Sequence, residues 1–228
     1  MLDGPGIREV IFLSGCPLRC LYCHNPDTAC LSNGEERGAE ELLNDLARRR
    51  HFLRHGGLTL SGGEPLVQIG FVKTLLRGAK QLGLHTAVDT SGFLGERVDV
   101  EILALTDLWL LDIKSWLPET YRRVTGVALA PTLKFAQRLA AAYRPMWIRF
   151  VLVPGLTDAE ENVRGVAEFT STLGSAVERV EVLPFHKLGE AKWEANGLPY
   201  TLRETPPPTP EATEAARAIF REGGLLVY

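Results

Sequence analysis

Six short apolar runs, each followed by a segment of helical period, constrain this 228-residue chain more than any other feature. Val10-Ile11-Phe12-Leu13 is continuously apolar, as strands covered on both faces are, and predicts a strand over Glu9 to Ser14. Leu58–Leu60, His85–Asp89, Leu108–Lys114, Met146–Val153 and Val180–Leu183 read as the other five. Apolar spacings of three and four predict helices over Ala39–Arg50, Ile69–Leu82, Val98–Leu105, Pro131–Ala142 and Ala159–Leu173. Such alternation implies right-handed crossovers and a parallel sheet. Six units are too few for a closed eight-stranded barrel. The expectation is therefore an open, partial (β/α)6 TIM-like barrel, α/β in class, forming a single domain over residues 1–228. A doubly wound flat sheet is the alternative. After the stiff Thr205–Pro210 segment a last helix is expected, with Thr209 as cap, Pro210 first and Gly223 past its end. Leu225–Tyr228 is expected to add an edge strand.

Composition bounds the function. A net charge of −3 with interspersed signs points to neither nucleic acid nor an anionic membrane. No apolar run approaches the ~18–20 residues of a membrane span, and no basic-then-apolar leader opens the chain. The expected compartment is the cytoplasm, where thiols stay reduced.

Polar motifs fall at the C-terminal ends of the predicted strands, the rim on which barrels build active sites. Ser61-Gly62-Gly63-Glu64-Pro65 follows the second strand; Gly62 and Gly63 would let backbone approach a ligand, and Glu64 would accept a ligand hydrogen bond or cap the next helix. Asp89-Thr90-Ser91-Gly92 ends the third. Asp112 and Lys114 flank Ile113 on one strand face, as a pair holding ligand or a structural salt bridge. Arg149, alone among apolar residues, needs an acid or a ligand in the lumen. His186 follows the sixth strand, on the surface or beside a ligand.

Three of the four cysteines, Cys16, Cys20 and Cys23, lie together after the first strand in a C-x3-C-x2-C spacing. Three thiolates can hold three irons of a [4Fe–4S] cube and leave the fourth open to a substrate or cofactor. A Cys3His zinc site with His24, as in a zinc-binding adaptor, and a haem attachment at Cys20–His24 compete with that reading. So does an electron carrier. Cys30 stands apart and reads as a small, half-buried thiol.

The aromatic Tyr22 before the third cysteine makes the motif resemble that of the radical S-adenosylmethionine superfamily. Asp3-Gly4-Pro5-Gly6-Ile7-Arg8, Cys20-Leu21-Tyr22-Cys23-His24-Asn25 and Ser61–Pro65 together resemble its glycyl-radical-enzyme activases, most of all the pyruvate formate-lyase type. The resemblance implies a [4Fe–4S] cluster on Cys16, Cys20 and Cys23, reductive cleavage of S-adenosylmethionine, and hydrogen abstraction from a glycine of a partner glycyl radical enzyme. Reduced flavodoxin or ferredoxin would donate the electron. It further implies that Tyr22 and His24 wall in the nucleoside, that Gly62, Gly63 and Glu64 meet the amino group of the methionine moiety, and that Asp112, Ile113 and Lys114 contact the cofactor. Lys114 joins the cysteines as a catalytic residue, Arg149 faces the lumen, and His186 lies by the adenosine. Asp89, Thr90 and Asp112 match a monovalent-cation site, although Ser91 stands where relatives often have Asn. Asp3–Arg8 would lie at the mouth of the site, with Arg8 either anchoring the partner or serving a structural role. A further strand and turn would precede Asp3. An activase of anaerobic ribonucleotide reductase and a small-molecule radical enzyme are the alternatives; the lack of any cysteine after Cys30 favours the compact formate-lyase type.

Overall fold

The computed structural model describes residues 3–228, so Met1 and Leu2 of the expected domain lie outside the described residues. Strands β1 (Arg8–Leu13), β2 (Gly57–Gly62), β3 (His85–Thr90), β4 (Leu108–Asp112), β5 (Met146–Leu152) and β6 (Val177–Pro184) pair in parallel, strictly in chain order. A doubly wound sheet reverses its strand order partway; this one does not, which excludes the flat alternative. With β1 and β6 as its edges the sheet is an unclosed, partial barrel.

Helices α1 (Ala39–Leu53), α2 (Ile69–Gln81), α3 (Val100–Leu105), α4 (Pro118–Thr125), α5 (Ala130–Ala141), α6 (Glu160–Thr172), α7 (Glu190–Ala195) and α8 (Pro210–Glu222) complete the chain. One large core joins the helices to the sheet, with Leu58, Leu60, Val88, Trp109, Leu111, Ile148 and Phe150 meeting Leu46, Leu75, Phe135, Val166 and Phe220. Each such side chain stabilises the fold by about 1.5–3 kcal/mol on burial. Alternation along the strands puts Ala87, Leu108, Leu110 and Trp147 on the other face, where they form a separate apolar floor. A third cluster, of Tyr22, Val124, Val153, Phe185, Tyr200 and Leu202, packs beneath the cysteine loop.

Two helices escaped the sequence reading. Both α4 and α7 are short; α4 turns only Tyr121, Val124 and Thr125 inward, and α7 buries no residue fully. Thr209 caps α8 as expected, accepting from Ala212 N at 3.1 Å, and Pro210 opens it. The left-handed turn beyond it falls on Gly224 (φ 75°), while Gly223 keeps a negative φ. Leu225–Tyr228 pairs in parallel with the β6 edge, through Val180 N to Leu226 O, Tyr228 N to Val180 O and Val182 N to Tyr228 O, as a single bridge between Val180 and Val227.

Arg8 departs from expectation. It begins β1 and pairs in register with Gly57, at the strands' N-terminal ends and so at the rim opposite the cysteines. Its guanidinium donates to Thr59 Oγ1 and Leu58 O, both at 2.6 Å, and to Pro5 O at 3.1 Å, and lies 3.2 Å from His85 Nδ1. Burial lowers its pKa to about 10 despite nearby Asp107 and Asp3. Gly6 is required there by close approach, since a Cβ would lie 1.8 Å from His55 O. The Asp3–Arg8 segment thus ties strand ends together, and the Arg8 donors are directed at the chain itself, a further one at His85 O at 3.4 Å. Among the described residues no helix is long and apolar enough to cross a membrane.

Candidate active site at the strand C-terminal rim

The loop after β1 is pinned from three sides. Gly15 N and Cys16 N donate to Thr28 O and Ala29 O at 2.7 and 3.0 Å. Arg19 N and Leu21 N donate to Thr125 O and Val124 O at 2.7 and 3.0 Å, using carbonyls that the end of α4 leaves unpaired. Arg19 NH1 returns to Cys16 O at 2.6 Å, and Trp193 Nε1 donates to Cys23 O at 2.8 Å. Cys16, Cys20 and Cys23 are half-buried in this frame. Cys30 is exposed, and the half-buried expectation for it fails.

Burial raises the Cys16 thiol to about 11 and the Cys20 thiol to about 12, against the pull of the Lys114 ammonium; Cys23 is raised for the same reason. These groups are neutral thiols until a metal displaces their protons. Among the described residues no three His, Cys, Asp or Glu side chains converge on one metal position. A mononuclear zinc centre needs such convergence. Three free thiols spaced along one short loop are a donor set that an iron–sulfur cluster takes, and the buried Tyr22 hydroxyl of that loop has no hydrogen-bond partner among the described residues.

Lys114 Nζ lies 3.1 Å from Asp112 Oδ2 and 5.7 Å from the Tyr22 ring centroid. Burial opposes its charge, but Asp112 and then Cys20 hold it well above the usual lysine value. The predicted pair is therefore formed. Ile113 between them is fully buried in the main core, and its N–H donates to Arg149 O at 3.0 Å. Its side chain cannot reach the rim, which corrects the expectation of a cofactor contact to its carbonyl at most.

Glu64 takes the second of its two expected roles, capping the helical turn that follows β2, and does more besides. Its carboxylate is 1% exposed. Oε1 accepts from Thr90 Oγ1 at 2.7 Å and Leu66 N at 3.2 Å; Oε2 accepts from Ser91 N at 2.9 Å and Ser91 Oγ at 2.5 Å. Burial pushes its pKa up, and those donors hold it down in part. The group clamps the end of β2 to the end of β3 and has no lone pair to spare for a ligand's amino group. Thr90 is drawn the same way, so its hydroxyl lies on the face opposite Asp89 and is not available for a cation beside Asp89 and Asp112. Gly62 and Gly63 also serve the chain itself: a Cβ at Gly62 (φ 115°) would lie 2.3 Å from Leu13 N, and one at Gly63 2.4 Å from Gly15 O. The backbone they admit is that of β1 and the cysteine loop.

Arg149 pairs with acids on both sides, NH1 at 3.1 Å from Asp89 Oδ1 and Nε at 3.3 Å from Glu181 Oε2. Burial works against its charge, and Asp89 leads the neighbours that raise its pKa. Asp89 also accepts from Ser61 Oγ at 2.7 Å. Glu181 and Ser61 were not foreseen. Glu181 carried a signal, since it is the acid within the sixth apolar run and sits in register with Arg149. His24 and His186, far apart in sequence, stack with centroids 4.2 Å apart and planes at 23°. His24 Nε2 lies 3.2 Å from His186 O, and burial lowers the His24 pKa. Tyr22, by contrast, is buried in the cluster under the loop, so its ring forms the floor of the rim, not a wall.

The radical SAM superfamily profile matches residues 10–166. The chain is 41% identical over 230 residues to the pyruvate formate-lyase 1-activating enzyme of Escherichia coli (strain K12), covering 99% of this chain and 93% of that one. It is 41% identical over 234 residues to the pyruvate formate-lyase-activating enzyme of Staphylococcus epidermidis, with the same coverage. A crystal structure of a domain of pyruvate-formate lyase-activating enzyme from Bacteroides vulgatus superposes with a TM-score of 0.64 at 30% identity, over 76% of this chain and 98% of that domain. A radical SAM methyltransferase from Sphaerobacter thermophilus shares the fold, with a TM-score of 0.66 at 18% identity over 97% of this chain and 65% of that one. The chain belongs to the radical SAM superfamily and, within it, to the family of the pyruvate formate-lyase-activating enzymes.

Proposed function

We propose that this protein activates a glycyl radical enzyme of the pyruvate formate-lyase type, removing a hydrogen atom from a glycine Cα of that partner at the expense of S-adenosylmethionine. One observation carries the reading: three half-buried thiols on a single pinned loop stand at the strand C-terminal rim, beside the Asp112–Lys114 pair. Cys16, Cys20 and Cys23 would hold a [4Fe–4S] cluster. When bound, cluster and S-adenosylmethionine supply a one-electron reductive cleavage and a species able to abstract hydrogen.

The remaining work falls to the chain's own residues. The methionine end of the cofactor is a zwitterion, and a mostly buried ammonium and carboxylate 3.1 Å apart match its two charges with opposite ones. The stacked His24–His186 rings offer an aromatic face to the adenine. The floor of Ala87, Leu108, Leu110 and Trp147 excludes water from the lumen. Arg149, held by Asp89 and Glu181, borders that floor as a fixed cation. A glycine suits this chemistry because its Cα–H is unshielded and its radical is shared with both flanking amides. Residues 1–228 act as one catalytic domain, with reduced flavodoxin or ferredoxin as electron donor, in the cytoplasm.

Reduced, cluster-loaded protein incubated with S-adenosylmethionine and a formate-lyase-type partner should give the EPR doublet of a glycyl radical. No radical on any glycyl radical enzyme, together with rapid turnover of a small molecule, would overturn the reading.

A further inference from the structure

Four contacts converge on the third cysteine from one short segment after β6. Trp193 Nε1 donates to Cys23 O at 2.8 Å, across 170 positions of sequence. Lys192 Nζ reaches Asn25 Oδ1 at 2.8 Å and Asp27 at 3.3 Å. His186 stacks on His24. Gly189 sits so close that a Cβ there would lie 2.8 Å from His24 Cα and 3.1 Å from Cys23 O. The Trp193 ring also lies against Tyr200, with centroids 5.6 Å apart, and Tyr200 belongs to the cluster beneath the loop.

The three cysteines differ in what holds their carbonyls. Cys16 O is held by Arg19 and Cys20 O by Cys23 N, both from within the loop. Cys23 O is held by α7, which belongs to the opposite edge of the open sheet. We propose that Trp193 is a positioning residue for Cys23. By fixing the plane of the Cys23–His24 peptide it sets the direction of the Cys23 thiolate toward its iron and of the His24 ring beside it. The pairing suits both partners: an indole N–H can only donate, and a half-buried carbonyl needs a donor. Groups that orient metal ligands in this way typically contribute 10–100-fold to metal retention. The same bond ties the β6 edge to the loop after β1, so the unclosed barrel is joined at its upper rim.

The inference rests on the iron–sulfur reading above, and iron and sulfide counted on the wild-type protein test that reading separately. Trp193→Phe keeps the aromatic packing and removes the donor. Gly189→Ala has a compatible backbone (φ −81°) and pushes the segment away without touching the indole. Tyr200→Leu disturbs the packing alone. Each is reconstituted anaerobically, then followed for iron release to a chelator, for the EPR spectrum of the reduced cluster, and for melting of the metal-free form. Trp193→Phe and Gly189→Ala should each release iron about ten-fold faster and shift the spectrum. Tyr200→Leu should lower the melting temperature and keep the wild-type release rate. Should Trp193→Phe fail to fold, Gly189→Ala carries the comparison. Wild-type release from Trp193→Phe, or equal acceleration in Tyr200→Leu, overturns the proposal while leaving the cluster reading intact. A wild-type protein without iron and sulfide overturns both.

Discussion

Removing the Glu64 carboxylate separates the two roles it could have. In the structure it accepts four hydrogen bonds from three residues while almost wholly buried. In Glu64→Ala the hydroxyls of Thr90 and Ser91 can rotate toward other acceptors, but the backbone N–H groups of Leu66 and Ser91 cannot. Each fixed, buried donor left without a partner costs about 1–3 kcal/mol, so the two together cost about 2–6 kcal/mol. For a domain of this size each kcal/mol lowers the melting temperature by roughly 2–4 °C, so a fall of roughly 4–24 °C is expected. Glu64→Gln keeps one acceptor oxygen and turns an NH2 toward the other donors, and should lose about half as much. The assay is thermal unfolding of the metal-free protein followed by circular dichroism. It is paired with calorimetry of S-adenosylmethionine on cluster-loaded protein, at a temperature where the variant is folded. An unchanged melting temperature with weakened cofactor binding would refute the clamp and return Glu64 to the ligand.

Three further outcomes follow from the rim geometry. Asp112→Asn should weaken S-adenosylmethionine binding by about ten-fold, close to 1.4 kcal/mol, with iron content unchanged; unaltered affinity in calorimetry would remove Asp112 from the site. Cys30→Ala should retain a full cluster by iron count, because Cys30 is exposed and off the pinned loop, whereas alanine at Cys16, Cys20 or Cys23 should abolish it. Arg8→Ala should cost about 2–4 kcal/mol in a denaturant melt, from the loss of charged bonds to Thr59 and Leu58. Uncoupled cleavage of S-adenosylmethionine at permissive temperature should stay at the wild-type rate, and a wild-type melt with poor partner activation would restore Arg8 as a docking residue.

The strands were legible because parallel strands covered on both faces spell continuous apolar runs, and their sequential order follows from unbroken alternation with helices. The Asp112–Lys114 pair was legible for a local reason: strand alternation fixes residues two apart on one face. Glu64 was not. Whether a carboxylate after a double-glycine turn meets a ligand or the next strand depends on Thr90 and Ser91, 26 and 27 positions away. Gly62 and Gly63 mislead in the same way, since a missing Cβ shows that something approaches but not whether it is ligand or neighbouring chain. Arg8 was open to reading as an anchor although its position at the start of a strand places it on the far rim. Helix α7 has no apolar stripe and was not foreseen, so nothing in the sequence brought Trp193 to Cys23 O.

Hydrogen transfer from the partner's glycine is the central claim, and isotope transfer tests it most directly. A formate-lyase-type partner prepared with glycine deuterated at Cα is incubated anaerobically with reduced, cluster-loaded protein and S-adenosylmethionine. The 5′-deoxyadenosine formed is then weighed by mass spectrometry. One deuterium per molecule, appearing with the glycyl radical, is the predicted result. Unlabelled 5′-deoxyadenosine in the presence of fully deuterated partner would contradict the account.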